Sequence, residues 1–140
     1  MRQVDGRALW IGNAGDLRDA LTVMATGVAA VIELAASEPL AVLPRELIRC
    51  RFPLCDGEDN PAWLLRLASE TVATFLLAEV PVLVCCSAGL SRSVVVAAGG
   101  VALAENRPFN ESLTIVVGSG PADVSPGLFM QLKQTLERTS

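Results

Sequence analysis

Apolar positions along the chain fall into two kinds of run. Val28 to Leu34 is apolar except at Glu33 and rich in β-branched residues, the pattern of a buried parallel strand. Val82-Leu83-Val84-Cys85 is a shorter run of the same kind behind Pro81, and Leu9-Trp10-Ile11 is another, ending at Gly12-Asn13. Leu47 to Phe52 alternates after its start, which predicts a further strand. Between these lie helical segments. Asp16 is the expected N-cap of a helix running to about Ala25 and ended by Gly27. Asn60-Pro61 starts a second helix, an Asn cap with Pro at the first helical position, running to about Ala78. Arg92 to Glu105 reads as a helix apolar nearly all round. Gly99 and Gly100 inside it cost roughly 1 kcal/mol each against Ala, and close packing on the sheet is the expected reason. Asn110 is placed as the cap of another helix, although Leu113 to Val117 favours strand by propensity. Ser125-Pro126 opens a last helix to about Arg138. Pro39 and Pro44 punctuate one loop, and residues 53–60 form a polar, turn-rich one.

Strands alternating with helices predict an α/β fold: a single domain over residues 1–140. Its sheet is expected to be largely parallel, of roughly four to five strands flanked by helices. Apolar residues make up 51% of the chain, enough for one sizeable core. Eleven Lys and Arg stand against 15 Asp and Glu, a net charge of -4. That balance argues against a nucleic-acid partner and against an anionic membrane surface. Four cysteines at positions 50, 55, 85 and 86, with no histidine, do not form a zinc pattern, so no metal or cofactor is expected. The start of the chain carries no secretory signal pattern, and the apolar runs are broken by Glu33 or too short to span a bilayer. A reducing cytoplasm is the expected compartment.

The chemistry concentrates in Cys86-Ser87-Ala88-Gly89-Leu90-Ser91-Arg92-Ser93, a tight loop between a strand and a helix. Ligands of open α/β sheets bind beyond the carboxyl ends of the strands, and a helix N-terminus there favours an anion. The five residues between Cys86 and Arg92 can curl into a nest of N–H groups around phosphate oxygens. Gly89 and Ala88 permit close backbone approach, and Arg92 can close the ring with a planar fork that Lys lacks. The same donors favour a thiolate at Cys86.

These residues resemble the signature loop of the dual-specificity protein tyrosine phosphatases. Leu9 to Asn13 is similar to the family's opening strand and turn, Val28 to Leu34 to its second strand, and Ser125 to Phe129 to the start of its last helix. The resemblance implies helix over Asn110 to Val117, against propensity. It also implies a two-step mechanism with no cofactor. Cys86 is then the nucleophile, Arg92 and the Ser87 to Ser91 backbone bind the phosphoryl oxygens, and Ser93 assists thiolate departure. The family's general acid is an Asp on a loop about thirty residues upstream. Asp56 matches best, with Asp59 the fallback and Glu58 below both. Two positions depart from the pattern: Cys85 stands where the family holds a loop-ordering His, and Ser125 where it commonly has Asn. Cys85 reads as a small apolar side chain at a strand end, with redox pairing of Cys86 with Cys85 or Cys55 as the alternative. Cys50, Trp10 and Trp63 read as core or helix-face residues. The implied substrate is a phosphorylated protein or peptide bound in a shallow pocket. A non-catalytic phosphate-binding module, or a phosphatase of phosphoinositides, glucans or RNA, is the competing reading.

Overall fold

In the computed structural model, residues 1–138 are described, so the last two positions of the expected domain lie outside them. Five strands form one sheet in the order β1-β2-β5-β3-β4. They are β1 (Arg2–Gln3), β2 (Leu9–Asn13), β3 (Ala30–Ala35), β4 (Ile48–Leu54) and β5 (Val82–Cys86). All neighbours pair in parallel except β1, which runs antiparallel along β2 with Arg2 opposite Ile11. Two polar residues and no apolar run mark β1, so only its pairing partner makes it a strand. β5 is central and buried along its whole length, as its unbroken apolar sequence requires.

Helices α2 (Ala62–Leu77), α3 (Arg92–Glu105), α4 (Phe109–Val117) and α5 (Pro126–Glu137) supply the larger core cluster. A smaller cluster on the other face gathers Leu17, Val23, Val28, Val31, Leu47, Leu83 and Cys85 under α1 (Ala20–Ala25). α4 is helical despite Thr114-Ile115-Val116-Val117. Phe109, Ser112 and Val116 recur at helical spacing, and burying that stripe outweighs intrinsic propensity.

Four local expectations are corrected. Asp16 does not cap α1. Its carboxylate accepts the Asn13 N–H at 2.9 Å and so holds the turn after β2. Residues Asp16–Arg18 form a 3-10 turn, and Asp19 caps α1 by accepting the Thr22 N–H at 3.2 Å. Asn60 does not cap α2, because its amide is committed to the loop before it and Pro61 takes the cap position. Asn110 does not cap α4. Pro108, in extended conformation, precedes the helix, and Asn110 lies within its first turn. Finally, Gly99 and Gly100 pack against α2 and not the sheet. A Cβ on Gly99 would lie 2.5 Å from Ser69 Oγ, and one on Gly100 would lie 2.2 Å from Val72 Cγ1. No described helix is long and apolar enough to cross a membrane.

Candidate active site

The carboxyl ends of β2, β4 and β5 converge on the loop from Ser87 to Ser91. Gly89 turns that loop with φ +73°. A side chain there would be strained, and its Cβ would lie 2.8 Å from the Gly12 carbonyl oxygen. A trans peptide points its C=O and N–H in opposite directions. Three loop carbonyls are drawn outward: Ser87 O accepts from Ala14 N–H at 3.3 Å, Gly89 O from Arg2 Nη2 at 3.1 Å, and Leu90 O from Asp123 N–H at 2.9 Å. The N–H groups of Ala88, Leu90 and Ser91 are therefore turned to the concave side, as an anion nest needs. Those three bonds order the loop in a chain that has Cys85, and not His, before Cys86.

Cys86 Sγ lies beneath the nest, almost fully buried. It accepts the Gly89 N–H at 3.3 Å and sits 3.2 Å from Ser93 Oγ. Ser93 is itself fully buried in the first turn of α3. A thiol at Cys86 can donate to that hydroxyl, and a thiolate can accept from it. Arg92 is the first residue of α3. Its Nη1 donates to Leu54 O at 2.9 Å and its Nη2 to Ser87 Oγ at 3.0 Å. The guanidinium is thus fixed between the end of β4 and the start of the loop.

Asp56 follows β4 and meets the loop through Ser91. The Ser125 N–H donates to Ser91 Oγ at 3.0 Å. The single hydroxyl proton of Ser91 is left to donate to Asp56 Oδ1, at 2.6 Å. Asp56 Oδ1 is therefore the acceptor, and no hydrogen bond to Oδ2 is seen among the described residues. The backbone of Ser125 provides this link where the family commonly has an Asn. The fallback acids lie elsewhere. Glu58 packs beside Gly127 at the start of α5. Asp59 lines a depression with Met130 and Gln134.

Cys85 faces the smaller core cluster, on the opposite side of β5 from Cys86. Burial above all, with Asp16, Cys86 and Glu33 nearby, pushes its thiol well above the usual range. It is an uncharged packing residue, as its strand-end position suggested. All four cysteines are unpaired, and Cys55 is exposed on the acid loop. Cys50 packs against the larger core, where burial pushes its thiol up, and Trp63 is an exposed residue of α2.

Sequence reasoning missed two residues that shape the site. Asn60 closes the acid loop on itself. Its Oδ1 accepts the Cys55 N–H at 2.8 Å, and its Nδ2 donates to Cys55 O at 2.9 Å and Gly57 O at 3.1 Å. Gln131 of α5 secures it by accepting the Asn60 N–H and donating to the Asn60 carbonyl. Asn before Pro was a visible turn signal, but cap and loop staple use the same side-chain atoms. Arg2 carries no local signal at all, since its partners lie far along the chain.

No family model and no curated protein matches the chain. Solved structures do. Human DUSP28 superposes with a TM-score of 0.86 at 20% identity, covering 100% of both chains. A mouse putative dual specificity phosphatase, solved with zinc tungstate, gives 0.85 at 20% identity over 98% of this chain and 86% of that one. The human tyrosine phosphatase-like serine/threonine/tyrosine-interacting protein gives 0.81 at 14% identity over 99% and 97%. The protein has the fold of the dual-specificity phosphatases.

Proposed function

We propose that this protein hydrolyses phosphomonoesters through a cysteinyl-phosphate on Cys86. The observation that carries the reading is a sulfur seated beneath an inward-facing ring of N–H groups, with a serine hydroxyl at its side and a carboxyl group at the lip. The phosphoryl oxygens bind the N–H groups of residues 87–91 and the Arg92 guanidinium, which offset the charge developing in the transition state. The Cys86 thiolate attacks phosphorus, an S–P bond forms, and the P–O bond to the leaving group breaks. Asp56 delivers a proton from Oδ2 to that oxygen. In the second step Asp56 takes a proton from water as the water oxygen attacks phosphorus. The S–P bond then breaks, and Ser93 donates a hydrogen bond to the departing thiolate. Inorganic phosphate leaves, and each group returns to its starting protonation.

The substrate class in this reading is a phosphorylated protein or peptide, with phosphotyrosine ahead of phosphoserine and phosphothreonine. The neighbouring mouse protein was solved with tungstate, a tetrahedral oxyanion, which supports an anion in this loop. The reading places a single catalytic domain over residues 1–140 in a reducing, cytoplasmic setting.

The test is hydrolysis of a small aryl phosphate by the wild type and by Cys86→Ser. Turnover by the wild type and none by the variant is expected, with phosphate trapped on Cys86 after rapid quench into denaturant. Equal turnover by both sinks the mechanism. The likeness to a protein named phosphatase-like supports a second reading, phosphate binding without turnover. Tight phosphopeptide binding by a wild type with no hydrolysis would select it.

A further inference from the structure

We propose that Arg2 is a positioning residue for the phosphate loop: it aims the Leu90 N–H at the bound phosphoryl group. The inference rests on the anion-binding reading of the loop given above.

Arg2 lies in the short edge strand beside β2. Its guanidinium is partly buried under the segment that joins α4 to α5. Nη2 bridges two carbonyls, Gly89 O at 3.1 Å and Pro121 O at 2.7 Å, while Nε reaches Ser119 Oγ at 3.3 Å. Gly120 is shaped around the same side chain, since a Cβ there would lie 2.3 Å from Arg2 Cδ. The arginine is therefore held by Ser119, Pro121 and Gly89, and among the described residues its hydrogen bond to the phosphate loop is to the Gly89 carbonyl.

That carbonyl belongs to the peptide whose N–H is Leu90. Holding the oxygen outward holds the N–H inward. Gly89 is also where free rotation is cheapest, because it lacks a Cβ and already sits at positive φ. Without an outer acceptor bond, the peptide after Gly89 could turn over and present its oxygen to the anion. Ser87 O and Leu90 O are anchored by backbone N–H groups of the chain itself, whereas Gly89 O depends on a side chain. Burial lowers the Arg2 pKa and the nearby Cys86 and Asp16 raise it, yet arginine stays charged at any working pH. Arg2 makes no contact with the reacting atoms, so its effect passes through the loop.

Inorganic phosphate is the probe. Its inhibition or dissociation constant is measured with wild type, Arg2→Gln and Arg2→Lys, beside kcat/KM for an aryl phosphate and the thermal midpoint. Gln cannot make the bridge, so Arg2→Gln should weaken phosphate about tenfold, less than deletion of a whole oxyanion donor. Its kcat/KM should fall in parallel. Lys restores the charge without the planar fork, so Arg2→Lys should keep most of that loss. Phosphate affinity unchanged in Arg2→Gln overturns the proposal. Full recovery in Arg2→Lys overturns it too, because charge alone would then suffice. If Arg2→Gln fails to fold, Arg2→Lys decides by the same measurement. A wild type that binds no phosphate would instead refute the anion reading of the loop, and the role of Arg2 with it.

Discussion

The phosphate loop and the acid loop face each other across the site, but they are held in opposite ways. The phosphate loop is fixed by carbonyl bonds from three distant stretches of chain, at Arg2, Ala14 and Asp123. The loop that carries Asp56, the acid loop of the proposed mechanism, has its backbone stapled by one of its own side chains, Asn60, which Gln131 pins, while the Asp56 carboxylate itself accepts from Ser91 Oγ. The first arrangement spreads the positioning of several N–H donors over the whole fold. The second concentrates the shape of the loop backbone in one amide. On the proposed mechanism, the phosphate loop should therefore fail by degrees when its anchors are removed singly, whereas the loop of Asp56 should lose its shape at one residue.

The comparison breaks most severely at Gly89. An Ala there meets both the positive φ and the Gly12 carbonyl, so the nest deforms as a unit. Gly89→Ala should lower kcat/KM for an aryl phosphate by about 10²–10³, the scale of losing an oxyanion donor. Near-normal turnover would show that the nest tolerates another shape. Next is Asp56→Asn, which should cost about a hundredfold and remove the basic limb of the pH–rate profile. An unchanged profile would shift the acid role to Asp59.

Asn60→Ala tests the single-amide account of the acid loop. It strands the Cys55 N–H and two carbonyls. Chemical denaturation should show a loss of about 1–3 kcal/mol, and kcat should fall about tenfold toward that of Asp56→Asn. Adding Asn60→Ala to Asp56→Asn should cost little more activity, since both disable one function. Additive losses would mean that Asn60 acts elsewhere. The smallest effect on activity is expected at Cys85. Cys85→Ser buries a hydroxyl in the smaller core and should cost roughly 1–3 kcal/mol of stability while aryl phosphate turnover stays within about twofold. A larger change would mean that the position still serves the loop.

What could be read beforehand follows from the range of the forces involved. β3, β5 and α3 declared themselves because long apolar runs report burial directly. Cys86, Arg92 and Ser93 could be grouped beforehand because they lie within eight consecutive residues. The cap readings at Asp16 and Asn60 failed for one shared reason, whereas the cap of α4 is Pro108, two residues before Asn110. A short polar side chain can serve a helix end or a neighbouring turn, and the geometry of the next segment decides which. β1 and Arg2 lay out of reach because their role comes from partners up to 119 residues away.

Gly99 and Gly100 have a bearing on the chemistry although they touch none of it. α2 begins where the acid loop ends, and α3 begins where the phosphate loop ends. The glycine pair lets these two helices meet backbone to side chain at Ser69 and Val72. The helices work like the arms of a caliper whose tips carry Asp56 and Cys86, and the glycines set the gauge. Thickening the contact by one methyl group would push the helices apart and so change the spacing on which the proposed mechanism depends, without altering either group.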